Sequence, residues 1–139
     1  MIKIALVSCT KIKQDFTCDA RTMYSKSPFF SNIVRFVEQR EYMDWYIMSA
    51  KYGLITKDQI IDPYDITLNK LKSAQRKAWA EQVFKAISDL DVTEIDFYAG
   101  KKYREYLIPL LEMKHITCNV PLQRLGIGEQ LKYLSKNTY

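Results

Sequence analysis

The stretch Ile2–Cys9, IKIALVSC, decides the fold class of this chain, because it is a nearly continuous run of apolar side chains. Such a run is typical of a strand that is covered on both faces. The segment that follows, PFFSNIVRFVEQRE, places Phe29, Ile33 and Val37 on one helical stripe. The chain therefore opens with a strand and a helix, the first unit of an α/β fold.

The same alternation continues along the chain. The segments WYIMSA, EIDFYAG and HITCNV have the pattern of further strands, each followed by a helical pattern. We expect Pro109 to kink the third helix, and the last helix to carry Ile127, Leu131 and Leu134. Because no hairpin signal separates the strands, the connections predict parallel pairing. We therefore predict one domain over residues 1–139, a three-layer α/β/α arrangement with a mostly parallel four-stranded sheet.

Composition fits such a domain. The 139 residues are 47% hydrophobic and 27% charged, which is enough apolar material for a core. The formal net charge of +5 favours approach to polyanions, although many soluble domains are mildly basic. The partner that this charge suggests is a nucleic acid or a nucleotide.

Cysteine, histidine and hydropathy patterns argue against other classes. The three cysteines and the single histidine, His115, show no metal-ligand spacing, so we expect reduced thiols, no metal and no cofactor. The N-terminal apolar run is too short for a signal peptide or a membrane span. We expect a cytoplasmic protein without a membrane partner, and the sequence leaves its oligomeric state open.

Polar and glycine-containing segments follow every predicted strand: SCTKIK, SAKYGL, AGKKY and PLQRLGIG. In a parallel sheet these segments share the carboxyl edge, where ligands commonly bind. Turns in general favour such residues, but residues 9–27 and 51–68 also form loops that are long for a compact domain, as binding loops often are. We predict that the carboxyl edge holds the functional site.

Three cations are candidates for binding phosphate at that edge: Lys13, Arg21 and Lys51. Lys51 directly follows an apolar strand, so desolvation could also make its amine nucleophilic. The planar guanidinium of Arg21 suits a phosphate, or else forms an ion pair that pins the long loop. We predict that the three form one anion-binding cluster.

The sequence DPYD, residues 62–65, brings carboxylates to the same edge. A carboxylate beside a sugar carbon can activate water and stabilise an oxocarbenium-like transition state, as cleavage of a glycosidic bond requires. The alternative is an Asp-Pro turn in which Asp65 caps the next helix. Tyr24 or Tyr52 would stack a base, and Gly53 would let the loop close. We predict Asp65 and Lys51 as the catalytic residues.

The sequence GIG, residues 126–128, opens the last predicted helix, where backbone amides can hold an anion. It lacks the spacing of a dinucleotide fingerprint or a P-loop. Ser8 and Cys9 end the first strand, whereas His115 is expected at the opposite edge of the sheet. This placement argues against a Ser-His or Cys-His pair.

Six segments together carry a family resemblance: LVSCTKIK, ARTMYSKSPFF, WYIMSAKYGL, DPYDITL, AGKKYREYLIPLL and VPLQRLGIGEQLKYL. In this order they resemble the motifs of a family of small bacterial and phage proteins of unknown function, which is similar to YaaA-like proteins and to the catalytic domain of archaeosine synthase. The resemblance implies a uracil-DNA-glycosylase-like α/β fold that handles a nucleic-acid base or nucleotide. The positions carried over by motif match are Ser8, Cys9, Lys13, Arg21, Tyr24, Ser49, Lys51, Gly53, Tyr64, Asp65, Gly100, Tyr103 and Gly128.

The function expected is processing of a nucleic-acid base or nucleotide at the carboxyl edge, by N-glycosidic-bond cleavage or base modification. The alternative is a non-catalytic module, phage- or defence-associated, that binds nucleic acid or a nucleotide through the same basic edge. Asp65 discriminates between the two, because a pure phosphate binder gains nothing from a carboxylate beside its cations.

Overall fold

The computed structural model describes residues 2–123 and 125–138, and for Ile127 only the backbone, so the predicted place of the Ile127 side chain lies outside the described residues. In chain order the elements are β1 (Lys3–Ser8), β2 (Cys18–Asp19), α1 (Ala20–Met23), α2 (Pro28–Glu38), β3 (Asp44–Ser49), β4 (Gly53–Ile55), β5 (Ile60–Ile61), a short 3₁₀ turn (Leu68–Lys70), α3 (Ser73–Ser88), β6 (Glu94–Tyr98), α4 (Lys101–Arg104), α5 (Leu107–Met113), β7 (Thr117–Asn119) and α6 (Ile127–Lys136).

The main sheet is mixed and has five strands, in the order β4-β3-β1-β6-β7. Strands β3, β1, β6 and β7 are parallel, and β4 pairs antiparallel with β3. In β1, residues 4–7 are buried without a break, so the strand is covered on both faces. The α/β class is confirmed. The prediction of a four-stranded sheet without a hairpin is wrong.

The additional strand arises from a hairpin that the sequence pattern did not reveal. Strands β3 and β4 are joined by Ala50, Lys51 and Tyr52, and Gly53 closes the loop with a φ of 75°. This left-handed conformation strains any residue with a Cβ, so glycine suits it. Ser49 Oγ accepts the Tyr52 N–H at 3.0 Å and tightens the turn. With only three residues, β4 is too short to show strand alternation.

The two loops predicted to be long contain short elements that pair with each other. Strands β2 and β5 form a two-stranded antiparallel sheet in which Cys18 faces Ile61. Asp19 caps α1, because its carboxylate accepts the Thr22 N–H at 3.0 Å. These elements depend on a partner far away in sequence, and a local pattern therefore could not predict them.

The longer helices pack in two pairs, α2 with α6 and α3 with α5. The helix predicted after β6 is divided into α4 and α5, and Pro109 is the third residue of α5. Proline cannot donate a hydrogen bond to the carbonyl four residues earlier, which is that of Glu105, and the helix is interrupted at Glu105 and Tyr106. The predicted distortion is therefore present, as a break one turn before Pro109. His115 ends α5 with a φ of 62°, and its N–H donates to the Glu112 carbonyl at 3.0 Å.

A polar network centred on Asp96 lies inside the core. Asp96, in β6, is 6% exposed and accepts hydrogen bonds from the Tyr42 hydroxyl at 2.6 Å and the Asn119 amide at 2.8 Å. Lys3 lies 3.4 Å from the same carboxylate. These contacts satisfy a buried charge and connect β1, β6 and β7. Among residues 2–123 and 125–138, no helix has the length and apolar character needed to span a membrane.

Candidate functional site at the carboxyl edge

The candidate site lies at the carboxyl edge of the four parallel strands. The chain passes from β1 to β3 on one side and from β6 to β7 on the other, so the direction of connection reverses between β1 and β6. Crevices at such switch points are the usual ligand sites of open α/β sheets. The edge has two parts, which meet at neighbouring residues at the end of β1. Ser8 lines a cavity, and Cys9 contacts a group of tyrosines.

Five predicted binding residues lie together as the tyrosine cluster and form two hydrogen-bonded sets, Tyr24 with Tyr64 and Ser49, and Cys9 with Tyr103. The Tyr64 hydroxyl lies 2.6 Å from that of Tyr24 and 2.8 Å from that of Ser49. The Cys9 thiol lies 3.2 Å from the Tyr103 hydroxyl. Burial raises the pKa of all three tyrosines, so their hydroxyls remain protonated at neutral pH.

The tyrosine cluster is held in place by the elements around it. Trp79, on α3, donates its indole N–H to the Ser49 carbonyl at 2.9 Å and packs edge-on against Tyr103 with ring centres 5.6 Å apart. The Ala50 N–H donates to the Cys9 sulfur at 3.3 Å. These contacts join β1, β3, α3 and α4 at one point. Trp79 was not among the site residues that the sequence predicted.

Neither tyrosine predicted to stack a base has an unoccupied ring. Tyr24 is 0% exposed, so the prediction that it stacks a base is wrong. Tyr52 packs edge-on against Tyr64, with ring centres 5.6 Å apart, and its hydroxyl accepts the Asp62 N–H at 3.3 Å. Tyr52 therefore fastens the DPYD loop to the β3–β4 hairpin.

Lys13 lies over the tyrosine cluster. Its amine is 4.5 Å from the centre of the Tyr64 ring and donates to the Lys11 carbonyl at 3.3 Å. Burial lowers the pKa of the Lys13 amine, and the nearby Cys9 sulfur and Asp65 carboxylate oppose that shift. Lys13 is therefore a partly desolvated cation with a carboxylate close by.

The two predicted catalytic residues, Lys51 and Asp65, are both exposed. The Lys51 amine is 5.2 Å from the centre of the Tyr52 ring. In the part of the chain that the structure describes, Asp65 has no hydrogen bond and no ion pair, and Thr67 precedes the 3₁₀ turn, so the interpretation of Asp65 as a helix cap is wrong. Nor do three acidic, cysteine or histidine side chains converge on a metal-binding geometry within the described ranges.

Arg21 does not join the lysines of the carboxyl edge. Its guanidinium binds both oxygens of Glu38, the last residue of α2, at 2.8 and 3.1 Å. The backbone N–H of Arg21 donates to the Lys57 carbonyl. The Lys57 side-chain amine in turn pairs with Asp44 at the amino end of β3. The predicted three-cation cluster is therefore corrected: Arg21 forms the loop-pinning ion pair at the opposite edge.

The cavity beside Ser8 has a volume of about 280 Å³ and lies at the switch point between β1 and β6. Gly100 also lines it, and a Cβ added there would meet no atom within 4 Å. Gly128 lies in the first turn of α6, and a Cβ added there would likewise meet no atom within 4 Å. The remaining lining residues are Phe29, Ile33, Phe97, Tyr98, Ala99, Arg104, Val120, Leu122, Gln123 and Gln130.

Sequence reasoning missed three polar residues of this cavity, Arg104, Gln123 and Gln130. Arg104 follows Gly100 by four positions, which is about one helical turn, so a helix beginning at the carboxyl edge would bring it back near Gly100. Gln123 lies in the segment after β7 that was already assigned to the same edge. The sequence therefore placed Arg104 and Gln123 near the carboxyl edge, but it did not distinguish them from the other polar residues of these loops.

The match to a protein family covers both the tyrosine cluster and the cavity beside Ser8. The sequence profile of a family of unknown function, DUF6884, matches residues 4–136. The chain belongs to this family. Searches of curated proteins and of solved structures found no match. The matched range includes the tyrosine cluster, Lys13, Asp65 and the cavity, but the family brings no activity with it.

Proposed function

We propose that this chain binds a nucleotide, free or within a nucleic acid, at the carboxyl edge of its sheet and processes the base or its N-glycosidic bond. The observation that carries the proposal is that the Lys13 amine lies 4.5 Å from the centre of the Tyr64 ring, directly before Asp65 in the chain, so a cation and a carboxylate-bearing loop meet at that edge. A cation and a carboxylate placed together serve a substrate that presents both a phosphate and a sugar carbon.

The two lysines and the carboxylate would have separate roles. Lys13 and Lys51 would bind phosphate, and Asp65, which is open to solvent, would accept the proton of an attacking water. Hydrolysis would break the bond between the sugar C1′ and the base nitrogen. The hydroxyl would add to C1′, and the departing base would take a proton.

The motif resemblance supports the same substrate class. The likeness to YaaA-like proteins and to the catalytic domain of archaeosine synthase, with a uracil-DNA-glycosylase-like fold, stays a prediction. Its quoted segments contain Lys13, Asp65 and Gly100, all of which belong to the carboxyl edge.

A binding module without chemistry is the second candidate. It is favoured by the exposure of Asp65, for which the described residues provide no hydrogen-bond or ion-pair partner. Catalytic groups are usually oriented by neighbouring side chains before the substrate binds. In this candidate the same edge would recognise the nucleotide and release it unchanged.

The test is to incubate the wild-type protein with nucleosides, nucleotides, DNA and RNA and to follow released bases and altered nucleosides by mass spectrometry. We expect a product from the wild type and a loss of it in Asp65→Asn. Asp58→Asn is the matched control, because Asp58 is another exposed loop carboxylate. Full activity in Asp65→Asn would exclude the proposed role of this carboxylate, and no product from any substrate would favour the binding module.

A further inference from the structure

The cavity at the switch point has the size and lining of a binding site for one planar ring. Its volume of about 280 Å³ lies just below the range of drug-sized ligand pockets, which is roughly 300–1,000 Å³, so it suits a small ligand. Phe29 and Tyr98 are the aromatic residues of its lining on the α2 side of the sheet. Apolar walls with a few polar groups are typical of sites that enclose a flat, partly polar ligand.

The polar groups of this cavity are available to a ligand. Among residues 2–123 and 125–138, neither the Ser8 hydroxyl nor the Gln123 amide has a hydrogen-bond partner. Arg104 uses its Nε to bind the Ala99 carbonyl at 2.9 Å, which leaves its two terminal nitrogens. Gln130 differs, because its amide donates to the Leu125 carbonyl at 2.8 Å and holds the loop after β7.

These three available groups match the edge of a nucleobase. A hydroxyl and an amide both donate and accept hydrogen bonds, as the ring nitrogens, carbonyls and amino groups of a base require. A guanidinium supplies further donors for a carbonyl or a phosphate oxygen.

A second depression adjoins the cavity and adds the Lys101 amine to its polar lining. Arg104 and Gln123 also line this space of about 480 Å³, together with Lys101 and Glu105. The Glu105 carboxylate is paired with Arg76 at 3.1 Å, so Lys101 and Arg104 are the cations that face a ligand there. A base seated in the first cavity would therefore have its phosphate, or that of the next nucleotide, beside Arg104 and Lys101. Such phosphate contacts position a nucleotide, whereas contacts to the base edge select it.

We infer that this cavity seats a single unpaired nucleobase, with Ser8 and Gln123 at the base edge and Arg104 and Lys101 at the phosphate. The inference rests on the proposed function and names its substrate: a free nucleotide or an unpaired nucleotide of a single strand. A base inside a duplex is stacked and paired, so it would have to be extruded before it could enter.

The test measures affinity by fluorescence anisotropy for labelled single-stranded DNA and RNA, for a blunt duplex and for a strand of abasic sites, with nucleoside monophosphates as competitors. We expect the strands with bases to bind about tenfold more tightly than the duplex and the abasic strand, as the loss of one stacked base predicts. Ser8→Val, which removes the hydroxyl and narrows the cavity, and Gln123→Ala should abolish that difference. Gln59→Ala, which changes another exposed glutamine, should retain it.

The outcomes separate this inference from the proposed function. Equal affinity for the abasic strand and the strand with bases would overturn the base seat and leave nucleotide binding intact. No binding to any oligonucleotide or mononucleotide would overturn both. The ranking of DNA, RNA and mononucleotide identifies the source of the base. If Ser8→Val fails to fold by circular dichroism, Gln123→Ala carries the test.

Discussion

The Lys13 amine lies 4.5 Å from the centre of the Tyr64 ring, which joins the two long loops above the carboxyl edge. Lys13 belongs to the loop after β1, and Tyr64 belongs to the DPYD loop after β5. A cation over an aromatic ring contributes on the order of 0.5–2 kcal/mol, depending on its exposure to water. The contact therefore fixes a positive charge next to the loop that carries Asp65.

Lys13 and Lys51, but not Arg21, should contribute to binding of nucleic acid. Lys13→Ala and Lys51→Ala are each expected to reduce the salt slope of single-strand binding by about 0.7, the value for one phosphate contact. Arg21→Ala is the matched control in charge, and it should leave the slope nearly unchanged because Glu38 already binds its guanidinium. Titrations at several salt concentrations would measure these slopes. An equal loss in Arg21→Ala would point to net charge rather than to a local site.

Gly53 should be required by the fold, whereas Gly100 should not. Gly53→Ala is expected to lower the free energy of unfolding by about 1–2 kcal/mol, because alanine would have to adopt the left-handed φ of 75°. Gly100 has a φ of −68° and open space at the Cβ position, so Gly100→Ala should change stability by less than about 0.5 kcal/mol. Urea denaturation of both variants measures the difference. Equal stability of the two would contradict the hairpin geometry.

Asp96 should contribute far more to stability than an exposed carboxylate in a similar ion pair. Asp96→Ala removes one hydrogen-bond acceptor of the Tyr42 hydroxyl, one of the Asn119 amide and one ion-pair partner of Lys3, and we expect a loss of about 3 kcal/mol. Asp44 pairs with Lys57 near the surface, so Asp44→Ala should cost about 1 kcal/mol or less. Chemical denaturation at neutral pH compares them. The prediction fails if the two losses are similar.

Stability should fall in alkaline solution because of the buried tyrosines. Burial raises the pKa of Tyr24, Tyr64 and Tyr103 above the ordinary value of 10.0. Above pH 10 the unfolded chain therefore releases protons that the folded chain retains, and the free energy of unfolding decreases as pH rises. Each such tyrosine contributes a slope of up to about 1.4 kcal/mol per pH unit.

Lys13 acts in the opposite direction, because its lowered pKa lets the unfolded chain bind more protons up to the ordinary value of 10.5. The measurement is guanidinium unfolding between pH 8 and pH 11.5 for the wild type and for Tyr64→Phe. The variant should be less stable at pH 8 and show a shallower alkaline decline. Parallel curves would show that Tyr64 releases its proton equally in both states.

Local patterns were sufficient for the elements that are long and strongly apolar. The run in β1, the stripe of α2 and the stripe of α3 each persist over enough residues for their period to be recognised. Strand β4 and the pair β2–β5 are two or three residues long and exist because a distant strand supplies hydrogen bonds. The predicted carboxyl-edge loops followed from the parallel strands alone, so most candidate residues were placed near one another correctly.

The sequence by itself determined the α/β class and the edge at which polar groups collect, because apolar periodicity and strand direction are local properties. Only the tertiary structure decided which of these polar and aromatic groups remain available to bind a ligand. The guanidinium of Arg21 suits a phosphate and a carboxylate equally well, and the position of Glu38 made the choice. The ring of Tyr24 suits stacking or packing, and its complete burial made it part of the core. The cavity beside Ser8 exists because residues from β1, α2, β6, α4 and the segment after β7 meet there, and no single stretch of sequence contains that meeting.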